Sequence, residues 1–263
     1  MKKDMIPKII HYCWFGRTPL PDDVKEYIAT WKKYCPDYQI MEWNEDNFDI
    51  NSCDYVKEAY GAKKWAFVSD YVRLYTLYTM GGVYMDTDVE VVKSFDELLK
   101  YNAFSGYESS LHIPTGTMGA CKNNEWIKLL LDDYRDRHFV MSDGEYDLTT
   151  NVVTITRLTV EKYNIELNGK ETTFGKNMVL LPFDYLCAKS FDTGQIIKSA
   201  NTYTIHHFKG SWLSDDEHRR VNLTRKLSRY FGNGLALKIS GFWYYAKTGG
   251  VQGLWKKLKK LVN

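Results

Sequence analysis

Residues 63–92 constrain this chain more than any other stretch. KKWAFVSDYVRLYTLYTMGG (63–82) is long and largely apolar, is spaced as a helix and is closed by glycine. GGVYMDTDVEVV (81–92) follows with no linker and reads as a buried or half-buried strand bounded by the Gly-Gly turn. Inside that strand stand Asp86 and Asp88. A strand rises about 3.3 Å per residue and alternates its faces, so both acids are expected on one face with backbones roughly 6.6 Å apart. Two ionised carboxylates on one buried face repel each other and are costly to desolvate. Something must neutralise them.

The rest of the chain alternates in the same way. Strands are expected at 7–14, 38–43, 102–108, 177–182 and 202–208. Helices are expected at 21–36, from an N-cap at Ser52 to Tyr60, at 95–99 in FDELL, at 124–136 and at 149–163. This pattern predicts an α/β sheet with helices on both faces.

Composition narrows the class. At 263 residues with a hydrophobic content of 44%, ample for a core, the chain is one large domain or one domain with an appendage. Cys13, Cys35, Cys53, Cys121 and Cys187 are odd in number and scattered, which fits neither a disulfide framework nor a zinc site. The start, MKKDMIPKIIHYCWFG, has no apolar core of a secretory signal, and no run approaches a membrane span. The net charge of +2 conceals an asymmetry: residues 219–263 hold 11 Lys and Arg and no acid, leaving 24 basic against 33 acidic residues in 1–218. A boundary is therefore expected at 218/219, with a basic, aromatic extension after it. In GLWKKLKKLVN, Leu254, Trp255, Leu258 and Leu261 follow helical spacing with lysines between them, the pattern of a helix lying in anionic headgroups. The expectation is a cytoplasmic protein attached peripherally to the inner face of the membrane. Nucleic acid is not an expected partner.

Three clusters carry chemistry. In SDYVR, Asp70 and Arg73 lie at i, i+3 on an otherwise apolar helix, either as an internal pair or as a pair holding ligand hydroxyls. Asp86 and Asp88 would be relieved most simply by Mg²⁺ or Mn²⁺. IHHFKGSW (205–212) offers an imidazole to complete a Mn²⁺ shell and a tryptophan to stack. Trp14 ends the first strand beside Gly16, placed to stack on a base or to fill the core.

Taken in order, IPKIIHYCWFG, WAFVSDYVRLYTLYTMGGVYMDTDVEVV and IHHFKGSW resemble the DXD-containing sugar transferases of glycosyltransferase family 32, and more distantly the glucosylating domains of large toxins. The resemblance implies a GT-A-type nucleotide-sugar-binding fold with a mixed central sheet. It further implies a nucleotide-sugar donor, with UDP-hexose favoured, Mn²⁺ or Mg²⁺, and transfer with retention to a glycan or lipid-linked acceptor of surface polysaccharide synthesis. It places Trp14 on the nucleobase and Asp70 and Arg73 on the donor sugar and diphosphate. Tyr84, Asp86 and Asp88 form the metal and donor motif, with Asp88 a direct ligand and His207 completing the shell. Ser211 and Trp212 close over the diphosphate. TTNVV (149–153) departs from the Gly-Pro expected before the following helix, and Asn151 is the residue assigned to face the reacting sugar carbon.

Three other readings compete. A haloacid-dehalogenase-type phosphatase also sets D-x-D at a strand end, but it wants Thr or Val where this chain has Glu90 and places the motif on the first strand. A glycoside hydrolase would need one of the two acids protonated beside the other and leaves SDYVR unexplained. A non-catalytic, membrane-bound sugar-binding protein is separated from the transferase by donor hydrolysis.

Overall fold

The computed structural model describes residues 5–210 and 213–262. The chain forms two compact units, Met1–Ala188 with Ile197–His207, and Lys189–Ile196 with Phe208–Asn263.

The first unit runs β1 (Ile9–Cys13), α1 (Asp22–Tyr34), β2 (Gln39–Trp43), α2 (Asp54–Gly61), α3 (Trp65–Thr79), β3 (Gly82–Met85), β4 (Val89–Val91), β5 (Ala103–Gly106), β6 (Thr117–Ala120), α4 (Glu125–Asp132), α5 (Asn151–Tyr163), β7 (Thr172–Phe174), β8 (Met178–Leu181), α6 (Phe183–Leu186) and β9 (Thr204–His206). Seven strands make one mixed sheet in the order β2-β1-β3-β6-β5-β8-β7, while β4 and β9 pair separately. β1 is parallel to both β2 and β3, and β6 runs antiparallel to β3 and β5. This is the mixed α/β sheet that the resemblance implies.

Alternation along the strands builds a core on each face. Ile10, Tyr12, Val83, Met85, Val179 and Leu181 pack with Val24, Ile28 and Trp31 of α1. Cys13, Tyr84, Met118, Met178 and Leu180 pack on the other face with Val68, Val72 and Leu77 of α3 and Trp126 of α4. The chain therefore leaves β1 over one face to reach β2, and returns over the other to place β3 on the opposite side of β1. That reversal opens a crevice at the carboxyl ends of β1 and β3, where ligands of open α/β sheets bind.

His11 fixes this crossing. It is fully buried, its Nδ1 accepts from Trp43 Nε1 at 3.1 Å, and its Nε2 donates to Gly81 O at 2.8 Å. One neutral ring thus ties β1 to the end of β2 and to the turn from α3 into β3. Burial pushes its pKa below the ordinary histidine value, against the pull of the Gly81 carbonyl.

Several local expectations need correction. FDELL is a set of turns, with Leu98 N on Phe95 O and Tyr101 N on Leu98 O, bonds of the i→i+3 kind. The residue capping α2 is Cys53, not Ser52. Asp86 and Asp88 do not share a strand. β3 ends at Met85, Val89 N bonds back to Asp86 O at 3.1 Å, and the turn delivers the chain from the main sheet into the β4–β9 pair.

In the second unit, α7 (Asp215–Phe231) and α8 (Asn233–Val262) form an antiparallel hairpin. Ser214 and Glu217 make a reciprocal capping box at the start of α7, and Lys247 of α8 meets Asp216 at 2.5 Å. The helical expectation for residues 254–261 falls within α8. No helix among the described residues is long and apolar enough to cross a membrane.

The Gly81-Gly82 turn has no room for a side chain. At Gly82, φ is +118° and a Cβ would lie 2.7 Å from Ile9 O and 2.9 Å from His11 Nε2. Gly82→Ala is expected to lower stability by about 2–3 kcal/mol through strain and displacement of β1. Gly61→Ala, at the open end of α2 with nothing within 4 Å, should be neutral or slightly stabilising. Urea midpoints compare the two; equal midpoints would remove the turn from this account.

Candidate functional site

The two aspartates are neutralised by different partners. Asp86 leaves the end of β3, its backbone N–H held by Gly116 O at 2.9 Å. Its carboxylate accepts from Tyr84 Oη at 3.2 Å and meets Arg73 Nη1 at 3.2 Å. Asp88, two residues on, meets His206 Nε2 at 3.2 Å. The turn between them lets a guanidinium take one charge and an imidazole the other.

Arg73 organises the inner half of the site. It projects from the otherwise apolar α3 and is only 4% exposed. Nη2 holds Asp70 Oδ1 at 2.9 Å, Nη1 donates to Thr115 O at 2.7 Å and reaches Asp86, and the guanidinium lies 4.8 Å from the centre of the Tyr84 ring. Burial opposes its charge, yet Asp86, Tyr84 and Asp70 outweigh burial and hold the Arg73 pKa above its ordinary value. Asp70 shows the opposite balance: burial pushes its pKa up to about 6 although Arg73 pulls it down. The helical spacing of Asp70 and Arg73 is thus an internal pair that also reaches Asp86. Tyr84 is buried in the sheet and supports Asp86 from beneath.

The outer half comes from β9, whose register sets His206 directly opposite Val89 and so beside Asp88. Asp86, Asp88 and His206 each bring one ligand atom within 4.8 Å of the others. Burial lowers the His206 pKa, but the adjoining Asp88 carboxylate raises it further, so it ends well above the ordinary histidine value. Two carboxylates and an imidazole, all at least part-buried, fit a divalent cation of the Mn²⁺ or Mg²⁺ kind, which on binding would take the place of the proton that His206 shares with Asp88.

The imidazole that joins the aspartates is that of His206, not that of His207 expected from the sequence. His207 lies just past β9, where the strand's alternation has ended. Its Nε2 bonds Glu90 Oε2 at 3.0 Å, and its ring stacks on Tyr27 at 4.7 Å. IHHF contained the signal: Thr204 and His206 share a strand face, so the first histidine, not the second, repeats with the buried threonine.

Asn151, in the first turn of α5, is 3% exposed and donates from Nδ2 to Asp70 O at 3.1 Å, which brings α5 to the inner half of the site. Trp14 lies at the end of β1 on the rim of a hollow of about 340 Å³ that Arg17, Glu42, Asn44 and Glu45 also line. Its Nε1 donates to Thr18 O at 2.6 Å, which fixes the ring. Ser211 and Trp212 lie outside the described residues. The D-x-D of this chain sits after its third strand, far from the first-strand position of the phosphatase alternative.

Comparison with known proteins bears on the same region. Residues 21–105, from the start of α1 to β5, match the family described as "Glycosyltransferase sugar-binding region containing DXD motif". Over that stretch the chain resembles the DXD glycosyltransferases, and the matched residues contain the middle of the three sequence blocks, WAFVSDYVRLYTLYTMGGVYMDTDVEVV. Inositol phosphoceramide mannosyltransferase 2 of Schizosaccharomyces pombe is 25% identical over 187 residues, covering 69% of this chain and 54% of that protein. Inositol phosphoceramide mannosyltransferase 3 of the same yeast is 29% identical over 130 residues, covering 46% of this chain and 35% of that protein. The chain thus spans a third to a half of the length of these relatives. Among solved structures, PaToxG glycosyltransferase is 21% identical with a TM-score of 0.47, covering 60% of this chain and 70% of that one.

The candidate metal site would separate the two histidines experimentally. His206→Ala should weaken Mn²⁺ binding by on the order of tenfold or more, and His207→Ala by much less, because only the former removes a ligand. Calorimetric titration of Mn²⁺ into each variant reads this. Equal losses, or a larger loss for His207→Ala, would refute the assignment.

Proposed function

We propose that this protein is a metal-dependent glycosyltransferase that moves a hexose from a nucleotide-sugar to a lipid-linked glycan acceptor with retention of configuration. The observation that carries the reading is the joining of Asp86, Asp88 and His206 at the end of β3, next to the buried Asp70–Arg73 pair. Such a cluster suits the departure of a diphosphate, whose developing charge a divalent cation stabilises. The matched family supports sugar transfer, and the names of the yeast relatives pair a mannosyl group with a lipid, which supports a hexose and a membrane-borne acceptor.

Asp86, Asp88 and His206 would hold the ion, and the imidazole favours Mn²⁺ over Mg²⁺. Bound there, the ion supplies Lewis-acid stabilisation of charge developing on the leaving diphosphate. The protein's own groups do the positioning. Arg73 clamps Asp70 and Asp86 with one guanidinium and acts on the donor through them. Asp70, ionised above about pH 6, accepts hydrogen bonds from sugar hydroxyls. Trp14 borders the hollow at the carboxyl ends of β1 and β2 and stacks on the base. Asn151, at the start of α5, faces the reacting carbon. Ser211 and Trp212 complete the donor site in this reading. UDP is the favoured nucleotide. The product belongs to a surface polysaccharide or glycolipid, and the basic extension 219–263 attaches the enzyme to anionic lipid at the cytoplasmic face.

A screen of nucleotide-sugars for Mn²⁺-dependent hydrolysis tests the reading. Asp88→Asn should lower turnover by on the order of 10²-fold or more with the fold intact. Arg73→Lys should hurt nearly as much as Arg73→Ala, since an ammonium cannot hold Asp70, Asp86 and Thr115 O at once. An α-linked donor should give an α-glycoside by the NMR signal of its new anomeric proton. Full activity in excess EDTA would sink the metal role, a β-product the retaining mechanism, and absence of any donor hydrolysis the enzyme itself.

A further inference from the structure

The second unit carries an exposed apolar face that the hairpin leaves uncovered. Between its helices lie small and polar groups: Ala236 and Ser240 are buried, and Thr224 Oγ1 donates to Ser240 Oγ at 2.6 Å. Leu223, Leu227, Leu237, Trp243 and Tyr244 are half-buried, and five other large side chains point outward. Tyr230 is 75% exposed, Phe231 57%, Leu235 49%, Ile239 41% and Phe242 56%. Leu235, Ile239 and Phe242 stand at i, i+4, i+7 and form one stripe along α8. Tyr230 and Phe231 end α7 beside the one-residue turn at Gly232 that leads into α8. Isolated surface apolar residues need no explanation, but five on one helix stripe and its adjoining turn do.

Charge says what covers them. Lys226, Arg229 and Lys238 are exposed around this end of the hairpin. The acids of α7, namely Asp215, Asp216 and Glu217, fill its first turn, roughly 25 Å away along a 17-residue helix. Asp192, which Asn233 Nδ2 approaches at 3.5 Å, is the acid that these contacts bring to the turn. A second copy docked on the same face by two-fold symmetry would set Lys226, Arg229 and Lys238 against their own equivalents. An anionic bilayer offers both an apolar layer and opposite charge.

We propose, resting on the membrane attachment put forward above, that Tyr230, Phe231, Leu235, Ile239 and Phe242 are the face that enters the lipid interface, with Lys226, Arg229 and Lys238 on the headgroup phosphates. Attachment then has a salt-resistant part from insertion as well as a salt-sensitive part from the basic extension. The stripe lies in the first part of α8, upstream of the lysine-rich 254–261 segment that its sequence pattern marks.

The test uses the full chain with vesicles of phosphatidylcholine and phosphatidylglycerol in equal parts, and with pure phosphatidylcholine vesicles, sedimented at low and high salt. The Leu235→Ser/Phe242→Ser variant should bind the anionic vesicles at least about tenfold more weakly and lose the salt-resistant fraction, while keeping wild-type donor hydrolysis. In a Cys53→Ser background, Phe242→Cys carrying an environment-sensitive dye should shift to the blue with anionic vesicles; Cys53 is the part-buried cysteine, and Cys13, Cys35, Cys121 and Cys187 are buried and compete little for the label. Wild-type binding by the double variant with an unshifted dye would overturn this face while leaving membrane attachment in place. No binding of the intact protein at low salt would overturn attachment itself. Concentration-dependent self-association that the double variant abolishes, without vesicle binding, would assign the face to a second copy instead.

Discussion

One buried cation holds the site together. Arg73 carries its charge into an apolar helix packed against the sheet, where it would be prohibitive without carboxylates around it. Asp70 from the same helix and Asp86 from the end of β3 supply them, and Thr115 O accepts from Nη1. These contacts are all made in one geometry, so α3, β3 and the segment before β6 are locked relative to each other. The position of Asp86 follows from that lock, and Asp88 is carried with it around the turn.

The outer half depends on a different, non-local constraint. β4 is three residues long, and β9 pairs with it from more than a hundred residues away in the chain. Register there decides which imidazole meets Asp88, since a slip of one residue would exchange His206 for a neighbour facing the other way. Gly116 has a related role: a Cβ there would lie 2.8 Å from the His206 ring, so the backbone passes close enough to wall it in while its carbonyl holds Asp86 N–H. The same short segment thus supports both halves of the cluster.

Much of this was legible in the chain because it is local. The helix at 63–82, the glycine turn, and the pairing of Asp70 with Arg73 follow from periodicity and spacing, and α3 and β3 lie where that reading put them. What stayed hidden was non-local or too short to carry a pattern. β6, with only four residues, inserts between β3 and β5 and has no alternation to announce it. The apolar run 81–92 reads as one strand, although its middle is a turn, because hydrophobicity does not record where a chain changes sheets. His206 was passed over for His207 because two adjacent histidines differ only in the face they take, and that is set by a pairing the sequence does not display.

The central claim is that Asp86, Asp88 and His206 form one cation site whose geometry Arg73 maintains. Anomalous diffraction from crystals grown with Mn²⁺ and a nucleoside diphosphate tests it directly. The account predicts a single strong peak within bonding distance of Asp88 and His206 Nε2, on the Asp86 side, with Arg73 still joining Asp70 and Asp86. A peak on His207 and Glu90, or no peak beside Asp88 at saturating Mn²⁺, would contradict it.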